Sequence, residues 1–293
     1  MKNINIIISV FFLLFLSSCV EYEEIELNES ERKIVVVGEI SDGGFAKVDI
    51  QKSINYAIGL NYLIGEDSSP IDHISGAKVT ISDSKGASEV LVESSKEKGT
   101  YYGSIIKGES GNTYNIKVEY EGEIVRGHCF MPNSIDITRL DFEGKFNQTD
   151  EWNDDSDETF DYFHNVDIYW NDPKGQDNYY MIGRWIEEED EELSWNHWYF
   201  VLLDDKGKDG SQIKYTYGLN EYRNSKDTLF IEVRSLNRDV YNYLKGIDRI
   251  SSGADNTLFG TPGNPNSNLE DNNIGVFNAY SKCTKKILKI EEK

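Results

Sequence analysis

Asn112–Tyr120 reads Asn-Thr-Tyr-Asn-Ile-Lys-Val-Glu-Tyr. Tyr114, Ile116, Val118 and Tyr120 fall on one side of an extended chain, and Asn115, Lys117 and Glu119 on the other. A period of two with one apolar face is the pattern of a half-buried strand. Glu121-Gly122 then turns the chain into a second such run, Glu123–Phe130. Gly suits that place because tight hairpin turns need positive φ. The same rhythm extends upstream. Lys33–Ile40 (KIVVVGEI) is apolar, and Phe45–Lys52 places Ala46, Val48 and Ile50 on one face. Ala77–Ser82 does the same with Val79 and Ile81, and Ser88–Val92 and Thr100–Ile106 follow. Asp42-Gly43-Gly44, Asp83-Ser84-Lys85-Gly86 and Gly108-Glu109-Ser110-Gly111 supply the turns between them. About seven short strands in roughly 100 residues predict an immunoglobulin-like sandwich. It spans 33–132 and ends at Met131-Pro132-Asn133.

Ser53–Ser75 interrupts this rhythm. A connection of more than 20 residues is unusual in a compact domain and is often a binding loop. Tyr56, Ile58, Leu60, Tyr62 and Leu63 also suit a segment folded back over the sandwich edge, and both readings stand.

Residues 133–293 predict a second antiparallel β-domain with one helix. Ile135–Phe146 reads as a strand, and Gln148–Asp161 as an acidic loop. Phe163–Asn171 puts Val166, Ile168 and Trp170 on one face. After the turn Asp172-Pro173-Lys174-Gly175 come the strands Asn178–Ile186 and Trp198–Asp204, separated by the acidic run Glu187–Glu192. Asp227–Arg234 alternates Leu229, Ile231 and Val233. The period then changes, with Leu236, Val240, Leu244 and Ile247 at helical spacing and Ser235 as N-cap, which predicts a helix over 236–250. A Gly/Asn/Pro loop over Gly253–Asn273 leads to two closing strands, Ile274–Ser281 and Lys286–Ile290. The fold class expected is therefore all-β, mainly strand with a single helix.

The chain has 293 residues, about two domains at roughly 150 each. Its 30 basic and 52 acidic residues leave a formal charge of −22, which repels phosphate and argues against a nucleic-acid partner. Residues 1–18 read as a leader. Lys2 is followed by an apolar run from Ile6 to Leu16, too short to cross a hydrocarbon core of roughly 30 Å. Leu16-Ser17-Ser18-Cys19 resembles a bacterial lipobox, in which the Cys19 thiol is lipidated and becomes the first mature residue. The alternative is an ordinary secretory leader with an incidental cysteine. Removing the leader takes away Lys2 alone among charged residues, so the charge moves from −22 to −23. Residues 19–32 form an acidic tether. Glu21, Glu23 and Glu24 resemble the surface-export signal of Bacteroidetes lipoproteins, or are simply a solvated spacer.

Several blocks, in order, resemble a family of Bacteroidetes lipoproteins known as domain of unknown function 4249. Val35-Val36-Val37-Gly38-Glu39-Ile40 through Val48-Asp49-Ile50 matches the opening strand pair, and Ser75-Gly76-Ala77-Lys78-Val79-Thr80-Ile81 the third strand. Gly99-Thr100-Tyr101 and Gly111-Asn112-Thr113-Tyr114 match the later hairpin. Trp170-Asn171-Asp172-Pro173 with Asn178-Tyr179-Tyr180 is similar to the second-half signature. Val240-Tyr241-Asn242-Tyr243-Leu244, Pro265-Asn266-Ser267-Asn268 and Gly275-Val276-Phe277 complete the set. The resemblance implies an outer-membrane lipoprotein, anchored by its lipid and facing the cell exterior. It implies work beside a TonB-dependent receptor, by docking to it or by capturing its substrate. It supplies no catalytic residue and no cofactor.

The residues themselves point the same way on chemistry. His73, His128, His164 and His197 form no HExxH pair, and the sequence holds neither GxSxG nor GxxxxGK[ST], so no enzyme is expected. Cys129 and Cys283 are a candidate disulfide, since export permits one, or two separate thiols. The run Asp154–Glu158 and the segment Asp204–Gly210 invite calcium. Counting from Asp155, however, position 6 is Phe160 and position 12 is Val166, which rejects an EF-hand. Asp204–Gly210 reads as a hairpin turn and no metal ligand is assigned. Trp195-Asn196-His197-Trp198-Tyr199 is the best candidate for ligand or partner contact, through Trp195, Trp198 and Tyr199, because flat rings stack on sugars and anchor interfaces. Trp198 and Phe200 would also share one strand face and serve as core. The alternative function is a glycan- or protein-binding adhesion module acting alone.

Overall fold

The computed structural model describes residues 32–53, 71–149, 159–187, 199–224, 228–251 and 264–287. They belong to one compact unit, Arg32–Ile54 with Ile71–Lys293. In chain order the first half carries β1 (Ile34–Ser41), β2 (Phe45–Lys52), β3 (Asp72–His73), β4 (Lys78–Asp83), β5 (Ser88–Val90), β6 (Val92–Glu93), β7 (Thr100–Lys107), β8 (Thr113–Tyr120) and β9 (Glu123–Phe130). The second carries β10 (Ile137–Thr149), β11 (Thr159–Asn171), β12 (Tyr179–Glu187), β13 (Tyr199–Asp204), β14 (Gln212–Asn224), β15 (Thr228–Leu236), the helix α1 (Arg238–Ser251) and β16 (Ile274–Ile287).

The first half is a sandwich. Strands β1-β2-β7-β6 lie in one sheet and β5-β4-β8-β9 in the other, the strand order of an immunoglobulin-like domain. The inward faces are those the alternation marks. Val36, Val48, Ile50, Val79, Ile81, Tyr114 and Val118 are wholly inaccessible and share one core. Ser88–Val92, expected as one strand, is split. The chain changes sheets at Leu91, which is buried and donates its N–H to the Val79 carbonyl at 2.9 Å. Glu89, in β5 just before that crossing and opposite Ile81, turns its carboxylate into the sandwich. There it accepts the N–H groups of Ser104 (2.6 Å), Ile105 (3.0 Å) and Ile106 (2.9 Å), and the Ser104 hydroxyl at 3.2 Å. These residues lie within the register shift of the β2–β7 ladder, between Tyr102 and Lys107, so a side chain takes the place of a neighbouring strand.

The second half packs β10-β11-β14 against β13-β12-β15-β16. Val166, Ile168 and Trp170 meet Ile182, Ile231 and Val233 between them, all fully buried. Asp204–Gly210 does not close a hairpin, because β13 pairs with β12 and β14 pairs with β11. The segment carries the chain from one sheet to the other.

One strand joins the halves. Residues 274–280 of β16 run parallel to β1, from Val35↔Ile274 to Ser41↔Tyr280. Residues 281–287 then run antiparallel to β15, from Ser235↔Ser281 to Leu229↔Ile287. The two closing strands expected are thus a single one, and the expected boundary at 132/133 marks a change of sheets that β16 spans. Gly275 (φ +118°) makes the parallel approach feasible, since a Cβ there would lie 1.9 Å from the Val36 carbonyl oxygen.

Helix α1 begins two residues later than the spacing predicts. Leu236 is held at the end of β15 by pairing with Tyr179. Asn237, not Ser235, caps the helix, accepting the Asp239 N–H at 2.9 Å on Oδ1. Val240 enters the first core, while Tyr241 packs with Met181, Leu236 and Tyr280. Ile247, which helical spacing puts on the apolar face, is 40% exposed.

Candidate functional site

Cys19, Glu21, Glu23, Glu24, Trp195, Trp198 and His197 lie outside the described residues. Tyr199 opens β13 opposite Arg184. Cys129 and Cys283 are free thiols rather than a disulfide. Cys129 lies in the first core, its Sγ 3.8 Å from the Ala279 carbonyl oxygen. Cys283 packs against the second core and accepts the Ile137 N–H at 3.4 Å. Burial pushes the Cys129 thiol up to about 12, and the Ala279 carbonyl does not offset it. That thiol is therefore neutral and inert as a nucleophile. His73 and His128 are exposed residues of strands β3 and β9.

The second-half signature instead builds a connected polar network among the described residues. Trp170 ends the inward row of β11, and its ring meets Tyr180 edge-on at 5.3 Å. The Tyr180 hydroxyl donates to Asp172 Oδ1 at 2.5 Å, and the Gly210 N–H to Asp172 Oδ2 at 2.9 Å. Burial, then the hydrogen bond to Asp172, pushes the Tyr180 phenol far upward, so it stays protonated and keeps donating to Asp172. Asn178 ties the remaining loops together. Its Nδ2 donates to the carbonyls of Pro173 (2.9 Å) and Gln176 (3.1 Å) and to Asp205 Oδ2 (3.3 Å). Its backbone N–H reaches the same Asp205 oxygen at 2.9 Å. Asp209 accepts the Gly175 N–H at 2.6 Å.

Asp172, Asp205 and Asp209 thereby bring one carboxylate oxygen each to within 4.8 Å of one another, the first two buried and the third exposed. Among the described residues, they are the ones that could hold a cation. A calcium ion takes six to eight oxygens, more than three carboxylates supply one apiece. Protein donors already engage each carboxylate. The arrangement locks the 172–178 and 205–211 turns to each other, with every donor drawn from the turns or from Tyr180.

Beside this lock lies a cleft of about 220 Å³. Phe130 and Pro132, from the end of the first sandwich, form one wall. Asp177 and Tyr179 form the next, and Ser235 and Arg238, at the join of β15 and α1, the third. Tyr179 stacks obliquely on Tyr241, with centroids 4.9 Å apart. Burial raises the Tyr179 phenol, Arg238 opposes that shift, and Asp177, Asp205 and Asp204 add to it.

Sequence reading placed the ligand contact at the tryptophans and missed this cleft. The signal available was the signature itself. Asp172, Asn178 and Tyr180 are the residues that hold the loops around it.

Comparison with curated protein sequences yields no match. Among solved structures, the chain is similar to a DUF4785 family protein from Legionella pneumophila subsp. pneumophila str. Philadelphia 1. The identity is 11% and the TM-score 0.24, over 69% of this chain and 51% of that one, so the chain spans about half the length of that protein. The family model described as domain of unknown function (DUF4249) matches residues 21–286. A match over that much of the sequence, including every strand of both sandwiches but the last residue of β16, means that the chain belongs to the DUF4249 family.

Proposed function

We propose that the mature chain is a non-enzymatic lipoprotein of the outer membrane, anchored through Cys19 and facing the cell exterior. It serves a TonB-dependent receptor as an accessory or substrate-capturing subunit. The observation that carries this reading is Leu16-Ser17-Ser18-Cys19 with Glu21, Glu23 and Glu24 just beyond it. A lipid on Cys19 contributes membrane affinity at about 0.8 kcal/mol per buried CH₂. The acidic tether sets the β-sandwiches off from the bilayer. The strong negative charge favours a partner with a basic face and speeds encounter with it. Metabolic labelling with a palmitate analogue should mark the wild-type chain and leave Cys19→Ser unlabelled. Crosslinking on intact cells, followed by purification through a C-terminal tag, should recover one receptor barrel in stoichiometric amount. Recovery of the labelled lipoprotein with no barrel would sink the receptor reading. The aromatic run Trp195–Tyr199 supports the second reading, a glycan- or protein-binding adhesion module acting alone. That reading requires ligand binding by the isolated chain that is lost in Trp195→Ala or Trp198→Ala.

A further inference from the structure

The cleft between the two sandwiches has a chemistry of its own, independent of the receptor reading. Its volume of about 220 Å³ is below the roughly 300–1,000 Å³ of sites for drug-sized molecules, so the space suits one small molecule. Two opposite charges line it. Arg238, the first residue of α1, and Asp177, in the loop before β12, have no hydrogen bond or ion pair among the described residues, either with each other or with a third group. Unlike charges sharing a small concavity without pairing leave a cation and an anion each open to a ligand. Two further features favour an anion on the Arg238 side. The N-terminus of a 14-residue helix opens there, with Asn237 capping only the Asp239 N–H. Ser235, 5% exposed, also lines the cleft, and its hydroxyl has no hydrogen-bond partner. A buried orphan hydroxyl is costly, and a polar ligand group that reached it would offset that cost. Beside Asp177, the carboxylates Asp204 and Asp205 act on Tyr179 in the same sense as Asp177, so that wall is negative. Phe130, 44% exposed, and Leu236 give the space apolar surface.

We propose that this cleft binds a small zwitterion of the α-amino-acid class, its carboxylate at Arg238 and the start of α1, its ammonium at Asp177. The apolar surface at Phe130 and Leu236 then receives the side chain, which favours leucine or phenylalanine over glycine. A neutral sugar would leave both charges without a counter-charge, whereas a zwitterion answers each.

The test uses the intact mature protein in calorimetric titration with L-leucine, L-phenylalanine, N-acetyl-L-leucine and L-leucinamide, and with D-glucose as the neutral probe. L-leucine and L-phenylalanine should bind. Each blocked derivative, lacking one charge, should bind about tenfold or more weakly than L-leucine. Asp177→Asn should weaken L-leucine and erase its advantage over N-acetyl-L-leucine. Arg238→Gln should erase its advantage over L-leucinamide. Both positions are exposed, so the variants keep the wild-type melting curve as the control for folding. Ser235→Ala should weaken L-leucine a few-fold without lowering thermal stability. Absence of heat with both amino acids, equal affinity for blocked and unblocked leucine, or binding of D-glucose alone would each overturn the proposal.

Discussion

Replacing Glu89 tests the claim that a side chain stands in for a strand at the edge of the first sandwich. Its carboxylate takes the N–H groups of Ser104, Ile105 and Ile106 and the Ser104 hydroxyl. Glu89 itself is 6% exposed. Glu89→Ala leaves three backbone donors unmatched. A buried unmatched donor costs roughly 1–3 kcal/mol, and water can reach the neighbouring strand edge, so the low end applies and the loss is about 3 kcal/mol. Glu89→Gln keeps the shape but presents an NH₂ group toward amide donors, and should lose about 2 kcal/mol. Against a total stability of about 5–15 kcal/mol, either change is easily read by urea unfolding. The pH dependence sharpens the test. Burial alone would raise the Glu89 pKa, but the hydrogen bonds from Ile106, Ser104 and Ile105 outweigh it and hold the carboxyl below the usual 4.5. A depressed folded-state pKa contributes stability that is present above the unfolded value and is lost as pH falls through the folded one. The gap between wild type and Glu89→Gln should therefore be full at pH 7 and shrink as pH drops below about 4.5. A gap under about 0.5 kcal/mol at pH 7, or one unchanged at pH 3, would refute the assignment of these bonds to an ionised carboxylate.

Gly275→Ala should abolish the soluble fold or lower its stability by more than about 3 kcal/mol. Its φ is +118° and the added Cβ would strike the Val36 carbonyl, so near-wild-type unfolding would disprove the parallel β1–β16 contact. Asp172→Asn and Tyr180→Phe should be non-additive, with a coupling of about 1 kcal/mol or more in a double-mutant cycle. Additive losses would mean that the bond between them contributes nothing. Alkylation of the unreduced, denatured mature chain should modify both Cys129 and Cys283, and native alkylation at pH 8 should spare Cys129. A chain that takes up alkylating agent only after reduction would restore the disulfide.

The inward faces were legible because each strand carries its own record of burial. Val166, Ile168 and Trp170, or Val79 and Ile81, alternate with polar neighbours, and all five are fully buried. Partner choice leaves no such record. Residues 274–281 and 286–290 each read as strands, and nothing in Tyr280-Ser281 announces that one continuous strand leaves β1 for β15 there. The start of α1 was misread for a related reason. Leu236 fits a helical period with Val240 and Leu244, yet its ladder partner Tyr179 holds it extended, and Asn237 is as good a cap as Ser235. The site was hidden by distance along the chain. Asp172, Asn178 and Tyr180 stand close in sequence and were singled out as a signature, but their partners Asp205 and Gly210 lie 27 to 38 residues away. Only the fold brings Phe130 and Arg238 to one cleft.

The way β16 joins the halves bears directly on that cleft. Two sandwiches linked by a loop alone would be free to swing, and a site between them would form and dissolve with the motion. Here seven residues of β16 are laddered to β1 and the next seven to β15, so changing the angle between the sheets means breaking backbone pairs. Asn268 braces the first sandwich beside that join, donating to the His128 carbonyl of β9 and the Phe277 carbonyl of β16 at 3.2 and 2.7 Å, and accepting the Phe277 N–H at 2.9 Å. Helix α1 adds a second tie between the halves, with Val240 in the first core and Tyr241 packed on the second sandwich. The brace and the helix both run close to a cleft wall, since Phe130 ends β9 just beyond His128 and Arg238 starts the helix that carries Val240. The walls are thus set by the same contacts that set the fold. A small ligand entering between them would not have to order the walls first, which lowers the cost of binding.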